Sequence, residues 1–307
     1  MIEIVHLHTH SEYSLQDSII RISELVTRVK ELDMSAVALT DHGNVSGLFE
    51  FYVECKEQGV KPIVGMEAYV VPNVERKSQG EQRYHMVLLA VNRKGYQNLL
   101  SIADLAGTKG FYYVPRIDLD MVKPYTEGII ALTGCLQSVL YMIDDDEKNM
   151  ARMLRHIRSL FSVYLEFMPH NMKEQRKHNL KLYNLAQGDS TICVVTQDCH
   201  YMNFDSKKAH DILMRIQGRK PYEVDLPVTD EEWILRTMEE SHQYLRKSFV
   251  MDMLSNTKVI AEEVEDYGVP IEEFSFPSFK ATQKDKISII SQRKEARHGM
   301  RGLGMHA

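Results

Sequence analysis

Two periods of apolar and polar positions organise this chain. Val5 and Leu7 alternate with His6 and His8, and His8 with His10, which predicts a strand running into a loop. Ile22, Leu25, Val26, Val29 and Leu32 then recur at helical spacing, and residues 36–40 form a short apolar run that predicts a buried strand. The same reading gives a helix over 48–56 ended by Gly59, a strand over 61–71, a polar loop over 72–82 and a strand over 84–91. Further on it predicts a helix over 96–106, an aromatic loop over 107–115, strands over 128–133, 162–167 and 191–196, and helices over 148–161 and 172–187. Residues 203–265 read as helical, over 207–215, 231–246 and 251–264. Residues 270–277 are a Pro-bounded linker, and 278–307 are basic with a weak helical pattern.

Strands alternating with helices argue for an α/β fold of parallel βαβ units, whose polar groups gather at the carboxyl ends of the strands. Those ends carry chemistry in this sequence. His8 and His10, two apart in a strand, present two imidazoles to one side, where they suit zinc, manganese or iron; alone, the pair also reads as a surface accident or a tag remnant. Asp41-His42 follows the second predicted strand. Glu67 sits inside an apolar run, where it needs a partner unless it faces water from an edge strand. His85 starts a strand, Gly134-Cys135 ends one, and Gln197-Asp198-Cys199-His200 ends another. A barrel would bring these groups into one pocket, and their chemistry is that of a multinuclear centre acting on phosphoesters. The acidic run over 144–147 lacks the spacing of a calcium loop and reads as a solvated helix start.

Composition narrows the class. The chain has 307 residues, 44% hydrophobic and 26% charged, enough for a large core. A net charge of −6 is the wrong sign for coating duplex DNA, so a nucleic-acid role would be local, at a pocket where bound metals supply positive charge. No apolar run approaches the ~18 residues of a membrane helix and no leader opens the chain, which predicts a cytoplasmic protein without membrane contact. Cys55, Cys135, Cys193 and Cys199 show neither zinc-finger spacing nor disulfide density, so reduced thiols are expected.

The stretches His8-Thr9-His10-Ser11-Glu12-Tyr13-Ser14-Leu15-Gln16-Asp17, Thr40-Asp41-His42-Gly43-Asn44 and Pro62-Ile63-Val64-Gly65-Met66-Glu67-Ala68-Tyr69 resemble the polymerase-and-histidinol-phosphatase (PHP) domain. The version they resemble stands at the N-terminus of bacterial DNA polymerase III alpha subunits. Residues 110–118, Thr133-Gly134-Cys135-Leu136 and Asp198-Cys199-His200-Tyr201 continue the match in order, over about residues 3–280. The resemblance implies a distorted (β/α)7 barrel with a trinuclear metal site at the C-terminal ends of the strands. By motif, His8, His10, Glu67 and Asp198 hold the first ion, Glu67 with His85 and Cys135 the second, and Asp17, His42 and His200 the third. The ions would be zinc, manganese or iron. Many alpha subunits of this type have lost several ligands, whereas all nine positions here carry a ligating side chain. Ser18 and Gln197 stand where the family often has Gly and Asn, and neither removes a ligand. Asp41 is expected to orient the site from behind the ligands, and Arg116 is a candidate for meeting a substrate phosphate.

The implied function is a metal-dependent 3′–5′ exonuclease of proofreading type. Its partners would be a single-stranded or mismatched DNA 3′ end and a replicative polymerase, with metal-bound water as the nucleophile. The expected division is a PHP domain over 1–275 and a linker and tail over 276–307. No polymerase carboxylates follow the linker, so the expectation is a stand-alone protein or a fragment ending where a polymerase region would begin. The alternatives are a phosphomonoesterase of histidinol-phosphatase type and a non-catalytic, metal-stabilised scaffold.

Overall fold

In the computed structural model, residues 3–143, 147–188, 191–218 and 226–269 are described. Seven strands make one curled sheet: β1 (Ala36–Leu39), β2 (Lys61–Val70), β3 (Tyr84–Ala90), β4 (Arg116–Ile117), β5 (Ile129–Leu132), β6 (Ser162–Phe167) and β7 (Cys193–Val195). The order is β1-β2-β3-β5-β6-β7, with β4 paired to the end of β2.

The expected run of parallel units is broken at β3, which is antiparallel to both β2 and β5. The connection between β2 and β3 carries no helix, so the chain returns directly alongside instead of crossing over. His85 therefore sits at the start of its strand, yet still at the mouth where the parallel strands end.

Residues 6–10 close the sheet into a distorted (β/α)7 barrel. The His6 carbonyl accepts from Ala38 of β1 and the Thr9 carbonyl from Thr40 just after it, while on the other side the His8 carbonyl accepts from Cys199 N–H and His10 N–H donates to the Cys199 carbonyl. His6 to Thr9 thus spans what Ala38 to Thr40 spans opposite, a bulge of one extra residue. The bulge corrects the expectation of unbroken alternation. Val5 and Leu7 both face the barrel interior, and the shift of parity then turns His8 and His10 inward as well.

Elsewhere the period of two holds and divides the core in two. Ala36, Ala38, Ile63, Val87, Leu89, Ile130, Leu132 and Val194 fill the interior. Their neighbours Val37, Leu39, Val64, Met86, Leu88 and Ala131 face outward onto helices such as Ile22–Glu31, whose Ile22, Leu25, Val26 and Val29 are buried. The last described helix, Lys247–Glu263, floors the barrel: Ile260 and Ala261 join the interior cluster, and Thr257 Oγ1 accepts from Val5 N–H. That helix begins before the predicted 251, because the break after the helix Glu231–Ser241 falls earlier than the sequence pattern suggested.

With the floor plugged largely by apolar side chains, the ligating side chains collect at the opposite mouth. The acidic run at 144–146 and everything from 270 onward, including the expected boundary near 275 and the basic tail, lie outside the described residues.

Candidate metal centre

Interior-facing positions at the mouth are occupied by ligating side chains. On β2, Ile63 faces inward, so Glu67, four residues further along, does too; His85 shares the inward parity of Val87 and Leu89 on β3. Asp198, His200 and Cys135 arrive on the turns after β7 and β5. Gly134 makes the second of these possible: its φ is +86°, and a Cβ there would lie 2.7 Å from the His85 carbonyl oxygen.

The nine expected ligands all reach one mouth. His8, His10, Glu67 and Asp198 each offer an atom within 4.8 Å of the others, as do His10, His42 and His200, and His42, Glu67 and His85. Cys135 Sγ lies 3.6 Å from His85 Nδ1 and 4.0 Å from Glu67 Oε1. Asp17 Oδ2 is 3.2 Å from His42 Nε2, which is 3.4 Å from His200 Nε2. Glu67, fully buried, touches His8, His10, His42 and His85 and is the shared carboxylate of the group.

Some of these contacts are hydrogen bonds, such as His85 Nδ1 with Glu67 Oε1 at 2.9 Å, but the tightest cluster is not held that way. His8 Nε2 and His10 Nε2 approach Asp198 Oδ1 to 3.1 and 3.0 Å, and His42 Nδ1 approaches Glu67 Oε2 to 2.6 Å. Nevertheless all five of these buried atoms lack a partner of hydrogen-bonding geometry. A buried polar atom left so costs about 1–3 kcal/mol, and five together would be a heavy defect in a barrel core. Atoms that crowd together with their lone pairs misaligned for one another are arranged for a shared cation. The donor set of imidazoles, carboxylates and one thiol fits divalent zinc, manganese or iron.

Proton bookkeeping on the far side of the rings agrees. Ser14 donates its hydroxyl proton to Asp41 Oδ1 at 2.6 Å, so the 2.9 Å contact between Ser14 Oγ and His10 Nδ1 has His10 as donor. This leaves the His10 Nε2 lone pair facing the pocket. Asp41, which also accepts from Ser11 N–H and Ser11 Oγ, thereby fixes His10 through Ser14. His8 Nδ1 donates to Glu166 Oε1 at 2.7 Å, and His200 Nδ1 to the Asp198 carbonyl at 2.8 Å.

Without an ion, protons compensate the charge. Burial opposes a charged His8, but Asp198, Glu166 and Glu67 outweigh it and hold its pKa well above the usual range. His42 is raised likewise, burial being overcome by Glu67 and Asp17. His10 is pushed down to about 3 by burial and by its neighbours His42 and His200. Burial favours a neutral Glu67, but the imidazoles of His85, His42 and His8 hold it well below the usual carboxylate range. Burial, with Glu67 and Asp198, pushes the Cys135 thiol well up.

Two candidates need comment. Arg116 is not available to a substrate: its guanidinium is buried, donates to the carbonyls of Gly110, Arg76 and Val74, and pairs with Glu81. The sequence shows the cation but not the loop carbonyls folded around it. Conversely, the sequence reading passed over Glu166. Fully buried on β6, it accepts from His8, from Gly134 N–H at 2.7 Å and from Thr196 Oγ1, so one carboxylate orients a ligand and anchors two ligand-bearing turns. The available signal was the one that drew attention to Glu67, an acid inside an apolar strand. Ser14, which links Asp41 to His10, carried no comparable signal. Replacing Glu166 with glutamine is expected to weaken metal affinity by about 10–100-fold. Competition against a chromophoric chelator measures this, and an unchanged affinity would count against the orienting role.

The PHP domain family model matches residues 6–170. The DNA polymerase III subunit alpha of Aquifex aeolicus is 38% identical over 231 residues, 71% of this chain and 20% of that protein. The same subunit of Borreliella burgdorferi is 33% identical over 276 residues, 86% of this chain and 24% of that protein. The chain thus spans about a fifth to a quarter of the length of these curated relatives. A solved histidinol phosphate phosphatase from Lactococcus lactis, complexed with zinc, L-histidinol and phosphate, aligns with TM-score 0.34 and 15% identity. It covers 71% of this chain and 95% of that one, a likeness too distant to carry an argument. On the match over residues 6–170, this chain belongs to the PHP-domain family.

Proposed function

We propose that this chain is a metal-dependent phosphoesterase that removes nucleotides from DNA 3′ ends. The observation that carries the reading is the set of buried, misaligned lone pairs on His8, His10, His42, Glu67 and Asp198, converging at one mouth of the barrel. The choice of a DNA end over a small monoester is supported by the kinship with polymerase alpha subunits. In this reading His8, His10, Glu67 and Asp198 hold one divalent ion, Glu67 with His85 and Cys135 a second, and Asp17, His42 and His200 a third. Such ions acidify water and neutralise phosphoryl oxygens when bound.

The rest of the work belongs to the chain. Glu166 and the Asp41–Ser14 pair hold His8 and His10 in the tautomers that face the pocket. Burial of the ligand cluster keeps the charges in a medium where each interaction counts for more than in water. No helix among the described residues is long and apolar enough to cross a membrane. A cytoplasmic setting beside a replicative polymerase completes the proposal.

The test is cleavage of a 5′-labelled oligonucleotide with a 3′ mismatch, with Mn²⁺ and with chelator, beside His8→Ala. Stepwise shortening that requires metal and disappears in the variant is expected. No shortening by a folded, metal-loaded protein would overturn it, and a much faster reaction on a phosphomonoester would replace DNA with a small metabolite.

A further inference from the structure

Two loops stand at the mouth beside the metal centre: residues 71–83, after β2, and residues 109–115, before β4. Arg116 ties them together by donating to carbonyls in both, at Val74 and Arg76 in the first and Gly110 in the second. Between them is a cleft of about 220 Å³ whose lining includes Arg83, Tyr112 and Tyr113.

The aromatic groups of the second loop are divided. Tyr112 lies under the Arg116 guanidinium, 5.2 Å away. Tyr113 meets Tyr112 edge-on at 4.7 Å but is 73% exposed, and Phe111 is 53% exposed. Tyr113 also has φ +62°, a left-handed backbone that a tyrosine rarely adopts and that costs free energy. A strained backbone holding a large ring out in water calls for an explanation other than folding.

Charge supplies one. The chain carries −6 overall, yet Arg76, Lys77, Arg83 and Lys109 all lie exposed on these two loops, and none of them is held in an ion pair among the described residues. Of the acids there, Glu81 is neutralised by Arg116. A locally positive rim on an acidic protein attracts phosphates toward this mouth. The rim is continuous with the metal centre. Tyr69 stacks on His42 at 5.8 Å and meets His85 edge-on at 5.2 Å. A Cβ built on Gly43, beside His42, would touch both Tyr69 and Pro115 of the second loop.

We propose that these loops are a landing platform for an unpaired nucleic-acid strand: Tyr113 and Phe111 stack on bases while Arg83 meets a phosphate next to the one at the metal centre. Aromatic faces with interleaved cations bind single strands without regard to sequence, since every base has a stackable face. Duplex cannot use the platform, because its bases already stack on each other. The inference rests on the phosphoesterase reading for the fate of the strand, but not for its binding.

The test is fluorescence anisotropy of a 5′-labelled oligothymidylate with phosphorothioate linkages at its 3′ end, on the metal-loaded protein, beside a blunt duplex of equal length. Tyr113→Ala is expected to weaken single-strand binding by about 10-fold, and Tyr113→Phe to restore it. Arg83→Ala is expected to lower the slope of log Kd against log salt by about 0.7. Unchanged affinity in both alanine variants, equal binding of duplex, or no binding of either probe would overturn the platform. If binding behaves as expected while no strand is ever shortened, the platform stands and the hydrolytic reading falls.

Discussion

Glu67→Gln is expected to remove the two ions that Glu67 would share and the proposed activity with them, and to weaken the metal-free fold as well. Among the described residues Glu67 is the one carboxylate that touches four of the imidazoles, and two of the three proposed ligand sets lose a member without it. In the metal-free chain its negative charge compensates His8 and His42, both of which hold their protons above the usual range. Taking one member from such a buried ionic group costs about 3–5 kcal/mol, because the remaining charge keeps its desolvation penalty. At about 2–4 °C per kcal/mol for a domain of this size, the melting temperature of chelator-treated protein falls by roughly 10 °C. Elemental analysis of the purified variant measures the metal. A variant that keeps its full complement of ions would show that Glu67 is a bystander.

Metal loading should release protons, and its stabilising effect should grow with pH. Cysteine and histidine bind metal only when deprotonated. His8, His42 and Cys135 all have raised pKa values in the metal-free chain, so each gives up a proton on loading at neutral pH. His10 is already neutral, and Glu67 is already ionised. For the metal-free protein the signs oppose one another. The raised imidazoles stabilise it below their unfolded pKa of about 6.5, a contribution lost as pH rises through their folded values. The depressed Glu67 stabilises above about pH 4, a contribution lost as pH falls through its folded value. The gap in melting temperature between loaded and chelated protein therefore widens from about pH 6 to pH 8. Melts with and without metal across that range test it. A gap independent of pH would mean that the ions do not take the places of those protons.

Much of this site was legible because its residues announce themselves by type and place. His8, His10, His42, Cys135, Asp198 and His200 stand just where apolar runs stop, and a barrel has no other way to arrange such ends than at a common mouth. Strand direction was not legible. Periodicity is the same for parallel and antiparallel strands, and only the helix-free connection after β2 hinted that β3 turns back. The bulge before Thr9 was hidden for a similar reason, since it is a matter of hydrogen-bond register and not of residue type. Arg116 and Glu166 were misread in opposite ways. One is a cation whose partners are backbone carbonyls, which a sequence does not display. The other is an acid whose burial could have been inferred, as for Glu67, from the apolar residues around it.

Closure of the barrel by residues 6–10 also fixes when in the life of the chain this mouth can exist. His8 and His10 are made long before the residues that hold them, for their backbone is held on one side by Cys199, and Val5 is held by Thr257, 252 positions away. Such distant pairings form slowly, because a long loop must close before any contact rewards it. On a ribosome the early histidines must wait, exposed, until nearly the whole domain has been synthesised. An ion held by His8, His10 and Asp198 would then load last, so metal content would report that residues 6–10 and the turn at 198 have found each other.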